Sequence, residues 1–365
     1  MNLTRYSSRL LPGILLAATL LTACSSGDAS DNTAPTIEPS AAPLPVVSPL
    51  QTPPIEAFAG IVSGLTGLPV TEAILPRPLA VMINNAPAAR PQSGVSEADI
   101  LYEVLAEGGI TRLIGIFQSH TGVVKIGPIR SIRPYLIDIG ESYSGVTVHA
   151  GGSQAAYAIL QKDKKEDMDE IGNAGAYFWR DKNRKAPHNL YSNAAKLREG
   201  ADKLGYSDRT EVPAYLFTNP DYMPLGGEAA SEFSVNFQLK SYKLDYKYDP
   251  ERRTYLRWVN GKPHLDLNNN EPVEAANVIV MGADHKVLDD IGRLQIDVEL
   301  GGEALLFERG QVIKGRWVRK PNDIIRFVKD GEEAPLYPGV THFLIVPNTP
   351  SFSSHVTYGQ AQSST

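Results

Sequence analysis

The chain holds a single cysteine, Cys24, and it closes an apolar run, Leu10 to Leu21, of about a dozen residues. Whatever folds downstream must therefore be held by packing, hydrogen bonds and charge, because no intrachain disulfide, cysteine-based zinc site or cysteine nucleophile is available once this thiol is used elsewhere. The run is preceded by Arg5 and Arg9. It is too short to cross about 30 Å of hydrocarbon as a helix, and a basic start followed by a short apolar stretch reads as an export signal rather than as part of the fold.

The string Leu21-Thr22-Ala23-Cys24 resembles the lipobox of bacterial lipoproteins, with small residues at the cleavage point and the cysteine as the new N-terminus. The expectation is a signal peptide over 1–24 and lipidation of Cys24 with palmitate-type chains. The membrane partner is then reached through a lipid anchor, on the outer side of the cytoplasmic or outer membrane. Stable anchoring takes two or more acyl chains, each buried CH₂ contributing about 0.8 kcal/mol. The formal net charge of −6 does not favour nucleic acid as a partner, and export makes it less so.

Composition then divides the rest. Residues 25–57 are rich in Ser, Pro, Ala and Asp and cannot bury enough surface to fold; they read as a Pro/Ser-rich tether. Residues 58–225 alternate strand-like and helix-like patterns, which predicts an α/β or α+β domain. Strands are expected at Leu79–Ile83, ending in Asn84-Asn85, and at Val146–His149. Two more, Ile100–Ala106 and Ile110–Phe117, are joined across Glu107-Gly108-Gly109. Helical spacing is expected over Ser131–Tyr143, from Ser153 as N-cap to Leu160, and over Asn193–Leu204 up to Gly205. Residues 226–348 switch to strands and tight turns, with Asn260-Gly261 the strongest hairpin signal and Gly301-Gly302, Arg309-Gly310 and Asp330-Gly331 further candidate turns. A mostly antiparallel β C-terminal domain is expected there, and a flexible tail over 349–365.

Strings spread along this region carry a family resemblance: RPLAVMINNAPAARPQSG, EADILYEVLAEGGITR, GPIRSIRPYLIDI, HAGGS, FWRDKNRKAPHNLY, VNGKPHLD, ANVIVM, KGRW, PLYPG and FLIVP. In that order they resemble the YerB-like bacterial lipoproteins from about Leu65 to Pro347. The resemblance implies paired N- and C-terminal domains of unknown function behind a lipoprotein signal. It supplies no reaction, and an association with cell-envelope or peptidoglycan machinery is an expectation only.

Three clusters could carry chemistry. A two-residue turn at Gly108-Gly109 would place Glu103, Glu107 and Arg112 on one sheet face, either as a structural ion-pair network or as a polar floor with a glutamate poised for acid/base work. Arg90, Arg130 and Arg133 stand around Gly/Pro turns and suggest an anion pocket, because guanidinium forks match carboxylate and phosphate; alternatively they pair internally with Glu97, Asp99, Glu103 and Glu107. His149-Ala150-Gly151-Gly152-Ser153 lies where a strand becomes a helix. It reads as an anion cradle, as a plain N-cap, or as a nucleophile elbow with His149 or His188 as base. The aromatic string from Tyr177 to Tyr191, with His188, suits sugar or peptide recognition or packs as a loop.

No metal site is expected, since the seven histidines are scattered and the loop Asp266–Glu271 departs from the calcium pattern at Glu271; no cofactor is expected either. The reading is a tethered protein whose first domain binds an anionic or cell-wall-related ligand, or an envelope protein partner, through Arg90, Glu103, Glu107, Arg112, Arg130, Arg133, His149, Ser153 and His188. Its rivals are a cell-wall or peptide hydrolase using Glu103, Glu107 or Ser153 with a histidine, and a structural adaptor without a small-molecule site.

Overall fold

A computed structural model describes residues 60–72, 75–223 and 226–359. All of them belong to one compact unit, Thr52–Thr365. The signal segment, Cys24 and the whole tether lie outside the described residues.

The first region builds β1 (Leu79–Asn84), β2 (Ile100–Leu105), β3 (Thr111–Phe117), α1 (Pro134–Ser142), β4 (Val146–His149), α2 (Gln154–Lys162), β5 (Asp167–Asp169) and α3 (Ala194–Lys203). The longer strands of the second are β6 (Glu232–Val235), β7 (Leu244–Asp249), β8 (Thr254–Val259), β9 (Asn277–Ala283), β10 (Gly302–Glu308), β11 (Gln311–Val318), β12 (Arg326–Lys329), β13 (Thr341–Pro347) and β14 (Val356–Gly359). The architecture is thus a mixed sheet with few helices followed by mostly antiparallel β structure.

One sheet runs through both regions, in the order β12-β11-β10-β9-β13-β2-β3-β1-β4-β5. Its seam is the parallel pairing of β2 with β13, Ile100 opposite Thr341 through Val104 opposite Ile345. β1, β4 and β5 are also parallel neighbours. Every residue of β1, β2, β3, β9 and β13 is buried, as a sheet covered on both faces requires. On one face Leu136 and Ile139 of α1 and Ala156 and Leu160 of α2 join Tyr102, Ile114 and Ile116. On the other Leu197 and Ala201 of α3 join Val81, Ile83, Leu101 and Leu113.

The second sheet, β8-β7-β6-β14 with short strands beside β8, continues the cover on α3's side. Phe233 of β6 stacks on Phe307 of β10 with ring centroids 3.7 Å apart, and the Tyr246 hydroxyl bonds His342 Nδ1 at 2.9 Å. Register places Phe307, His342 and Glu103 on that same face. Residues 349–359, expected to be loose, instead supply a 3₁₀ turn and β14, which pairs with β6 from Val356 opposite Val235. A strand this short gains its stability from an existing edge rather than from its own composition, so its sequence carries little sign of it.

Local signals decide several turns. Ser153 and Asn193 cap α2 and α3 by accepting from the Ala156 and Lys196 amides. Asn260-Gly261, Arg309-Gly310 and Asp330-Gly331 each close a two-residue hairpin with both φ values positive, the backbone that matches strand twist. The helix expected from Ser131 starts only at Pro134. Residues 129–132 are extended and cross the strand ends, with Arg130 N–H donating to Met82 O and Ile132 bridging Gly152.

Glu308, at the end of β10, is buried, and its Oε2 meets no donor among the described residues. Burial pushes its carboxyl up to about 8, with Arg309 opposing. Between about pH 4.5 and 8 the folded chain keeps a proton that the unfolded chain has lost, so this group's stability contribution is full below that window and is lost as pH rises through it. Glu308→Gln is expected to raise Tm at pH 8 by about 3–5 °C and to leave it nearly unchanged at pH 4.5. Thermal melts at the two pH values check this; an equal gain at both would contradict it.

Candidate functional site

The β2–β3 turn is three residues long, Glu107-Gly108-Gly109, with Gly108 at φ 68° and Gly109 at φ 71° and Ala106 N–H donating to Ile110 O. Glu103 therefore opposes Leu113 and Arg112 opposes Val104. The two-residue turn expected from the glycines put Glu103 and Arg112 on one face. The extra residue sends them to opposite faces, because a shift of one flips every side chain.

Glu103 faces the second sheet and is locked there. Its Oε1 accepts from Thr111 Oγ1 and the Tyr242 hydroxyl, each at 2.6 Å, and from Asn85 Nδ2 at 3.1 Å. Its Oε2 pairs with Arg257 Nη2 at 2.6 Å, both side chains being almost wholly buried. Arg257 Nη1 also donates to His264 Nδ1, and His264 Nε2 donates to Gln92 Oε1 at 2.7 Å. Burial and the charges of Arg257 and Arg90 hold the His264 ring well below the usual histidine range, so it stays neutral. Arg90 donates to Asn85 O at 2.9 Å and lies over the Tyr242 ring. A second staple lies nearby: Asp266 accepts the backbone N–H groups of Gly94, Ser96 and Asn268 at 2.8–2.9 Å, so the polar loop expected there is a clasp between the two regions. Glu103 and Arg90 are committed to this interior network.

Arg112 points the other way, toward the start of α1. It is 9% exposed; Nη1 donates to Ser131 O at 2.6 Å and its Nε–H has no acceptor among the described residues. Burial, with Arg133 close by, pulls its guanidinium down to about 10. Arg133 is held by Glu107 through a two-pronged ion pair, Nη2 to Oε2 at 2.8 Å. Arg130 is half-buried and its guanidinium makes no hydrogen bond or ion pair among the described residues; burial, then Arg133 and Arg180, lower its pKa. Of the carboxylates that could have neutralised these arginines, Glu107 serves Arg133, and the others are spent elsewhere: Glu97 on Asn268, Asp99 on Gln118 and Ser119, Glu103 on Arg257.

His188 joins this group. Asn84 Nδ2 donates to its Nδ1 at 2.8 Å while Asn84 Oδ1 takes the Ala86 amide, which leaves Nε2 protonated. Burial, Arg130 and Arg184 push its pKa down, so near neutral pH it is an uncharged donor beside cations. Arg180 is the member that sequence reasoning passed over as part of the aromatic string; it is exposed and paired with Glu170 at 3.1 Å.

His149 and Ser153 adjoin the cluster at the ends of β4 and α2. The glycine cradle is filled from within: Asp169 Oδ1 accepts the Gly151 amide at 2.7 Å and Oδ2 accepts the Tyr157 hydroxyl at 2.7 Å. His149 Nε2 is bonded to Asp167 at 3.2 Å and Nδ1 to Gly151 O at 3.0 Å. The Ser153 hydroxyl accepts the Ala156 amide at 3.2 Å, and among the described residues no hydrogen bond joins it to a histidine. Three clefts of about 280–320 Å³ are lined by other residues.

The fold is of the mixed α/β class, and Arg112 and Arg130 lie near the carboxyl end of β1, the region where such sheets commonly hold ligands. This chain belongs to the protein family of unknown function DUF3048: residues 65–207 match its N-terminal domain and 233–343 its C-terminal domain. It is 36% identical over 285 residues to "Putative lipoprotein YerB" of Bacillus subtilis (strain 168), covering 78% of this chain and 86% of that protein. The crystal structure of the YerB protein from Bacillus subtilis superposes with a TM-score of 0.75 at 34% identity, over 82% of this chain and all of that one. Among the described residues no helix is long and apolar enough to cross a membrane.

Proposed function

We propose that this is a lipoprotein anchored through Cys24 on the outer side of a membrane, which binds a carboxylate- or phosphate-bearing component of the cell wall at Arg112, Arg130 and Arg133, with His188 as a neutral donor. One observation carries the reading: Arg112 and Arg130 are buried or half-buried cations without an internal carboxylate, while the nearby acids hold other partners. Keeping unpaired charge out of water is costly, and an external anion relieves it with charge-assisted bonds. The lipoprotein description of the 36% identical relative supports the anchor.

The hydrolase alternative has less to stand on, because Glu103 is saturated by four partners and Ser153 serves as a cap. Purified peptidoglycan incubated with the full chain tests both. Retention without release of fragments, reduced at least tenfold in Arg130→Ala, is the expected result. Release of wall fragments abolished by Glu107→Ala or Ser153→Ala would sink the binding account in favour of catalysis.

A further inference from the structure

A second feature stands apart from the arginines. Residues His285–Val287 and Leu294–Ile296 form a two-stranded ribbon that pairs with no other strand among the described residues. Ile296 is buried against the core, while Val287 and, in the connecting loop, Leu288 and Ile291 are 64%, 52% and 66% exposed. Between this arm and α1 lies a cleft of about 320 Å³ walled by Tyr135, Leu288, Leu294, Ile296 and Val298, with Asp138 of α1 also lining it and Glu299 contributing a further carboxylate.

The acid in that cleft has no cation of its own. The Asp138 carboxyl makes no hydrogen bond or ion pair among the described residues. Arg319, the nearest guanidinium in charge terms, spends its donors on the backbone carbonyls of Asp138 and Asp323 at 2.8 and 3.0 Å. Glu141 and Lys165, which also face Asp138, are bonded to each other at 2.9 Å. Asp297 accepts the Glu299 and Leu300 amides. Burial pushes Asp138 up to about 6, opposed by Arg319 and Lys165 and assisted by Glu299 and Glu141.

We propose that this cleft binds a lysine side chain of an extended peptide, whose ammonium pairs with Asp138 and whose methylenes lie on the apolar walls. Charge complementarity selects the ammonium, since the charged groups that line the cleft, Asp138, Asp297 and Glu299, are all carboxylates and among the described residues Asp297 alone is bonded, to two backbone amides. The apolar walls select a long aliphatic stem over a bare cation, as lysine buries its methylenes and keeps its head polar. The unpaired edge of the ribbon selects a peptide over a simple amine, because a free strand edge offers backbone donors and acceptors to an added strand. The proposal uses none of the arginine cluster and stands or falls separately from the wall-binding reading.

Binding requires Asp138 ionised, so affinity rises as pH passes upward through about 6 and falls below it. The test titrates the full chain with the blocked tripeptide acetyl-Ala-Lys-Ala-amide and with the analogue carrying norleucine in place of lysine, by calorimetry at pH 7.5 and 5. At pH 7.5 the lysine peptide is expected to bind at least tenfold more tightly than the norleucine peptide. That preference should disappear at pH 5 and in Asp138→Asn, whose side chain has the same shape, while Leu288→Ser weakens both peptides. Equal binding of the two peptides, binding of neither, or a preference that survives Asp138→Asn would overturn the proposal.

Discussion

Arg257→Ala is expected to lower the unfolding free energy of the Thr52–Thr365 unit by about 3–5 kcal/mol, the cost of stranding one partner of a buried ion pair. Arg257 sits 1% exposed on β8 and Glu103 1% exposed on β2, 154 positions apart in sequence, so the pair ties the two family regions across the sheet. Without the guanidinium, Glu103 must be buried ionised with only neutral donors or be buried protonated, and His264 loses the donor on its Nδ1. The double variant Glu103→Leu/Arg257→Met should recover part of the loss, because replacing both charges removes the uncompensated one. Recovery stays incomplete, since the Thr111 and Tyr242 hydroxyls then lose their acceptor. Urea unfolding of the three proteins measures this. A cost below about 1 kcal/mol for Arg257→Ala would show that the network does not hold the two regions together.

Arg112→Met carries the opposite sign. This arginine is buried too, at 9% exposure, but has no carboxylate partner, and one of its donors is idle. An apolar side chain of similar length is expected to raise stability by about 1–3 kcal/mol, because a desolvated cation is exchanged for packed methylenes at the loss of one bond to Ser131 O. Retention on peptidoglycan should fall at least tenfold in the same protein. A gain in stability coupled to a loss of binding marks a group kept for function rather than for folding. If Arg112→Met unfolds more easily than the wild type, the arginine is structural and the case for an anion site weakens accordingly.

What was legible in the sequence is local. The strand at Leu79–Ile83, the cap Ser153, and the hairpins at Asn260-Gly261, Arg309-Gly310 and Asp330-Gly331 each depend on a few adjacent residues, and each is where the pattern puts it. The turn at Glu107-Gly108-Gly109 was visible but its length was not, because two consecutive glycines fit both a two- and a three-residue loop. That single residue decides whether Glu103 and Arg112 share a face. The pairing of Ile100–Val104 with Thr341–Ile345 had no local sign, since two fully buried apolar strands match many partners equally well. Glu103's partner was invisible for the same reason of distance. The arginines were named from their chemistry; that Glu97, Asp99 and Glu103 are engaged elsewhere, which leaves Arg112 and Arg130 unneutralised, could be learned only from the fold.

The measurement that bears most directly on the central claim observes the arginine Nε–Hε groups themselves. The Thr52–Thr365 unit, labelled with ¹⁵N at arginine, is titrated with N-acetylmuramyl dipeptide, a soluble carboxylate-bearing wall fragment, and followed by NMR. The account predicts that the Arg112 and Arg130 signals shift together with one dissociation constant, while exposed Arg253, already paired with Asp221, stays in place. Shifts confined to exposed arginines, or none at all, would contradict it.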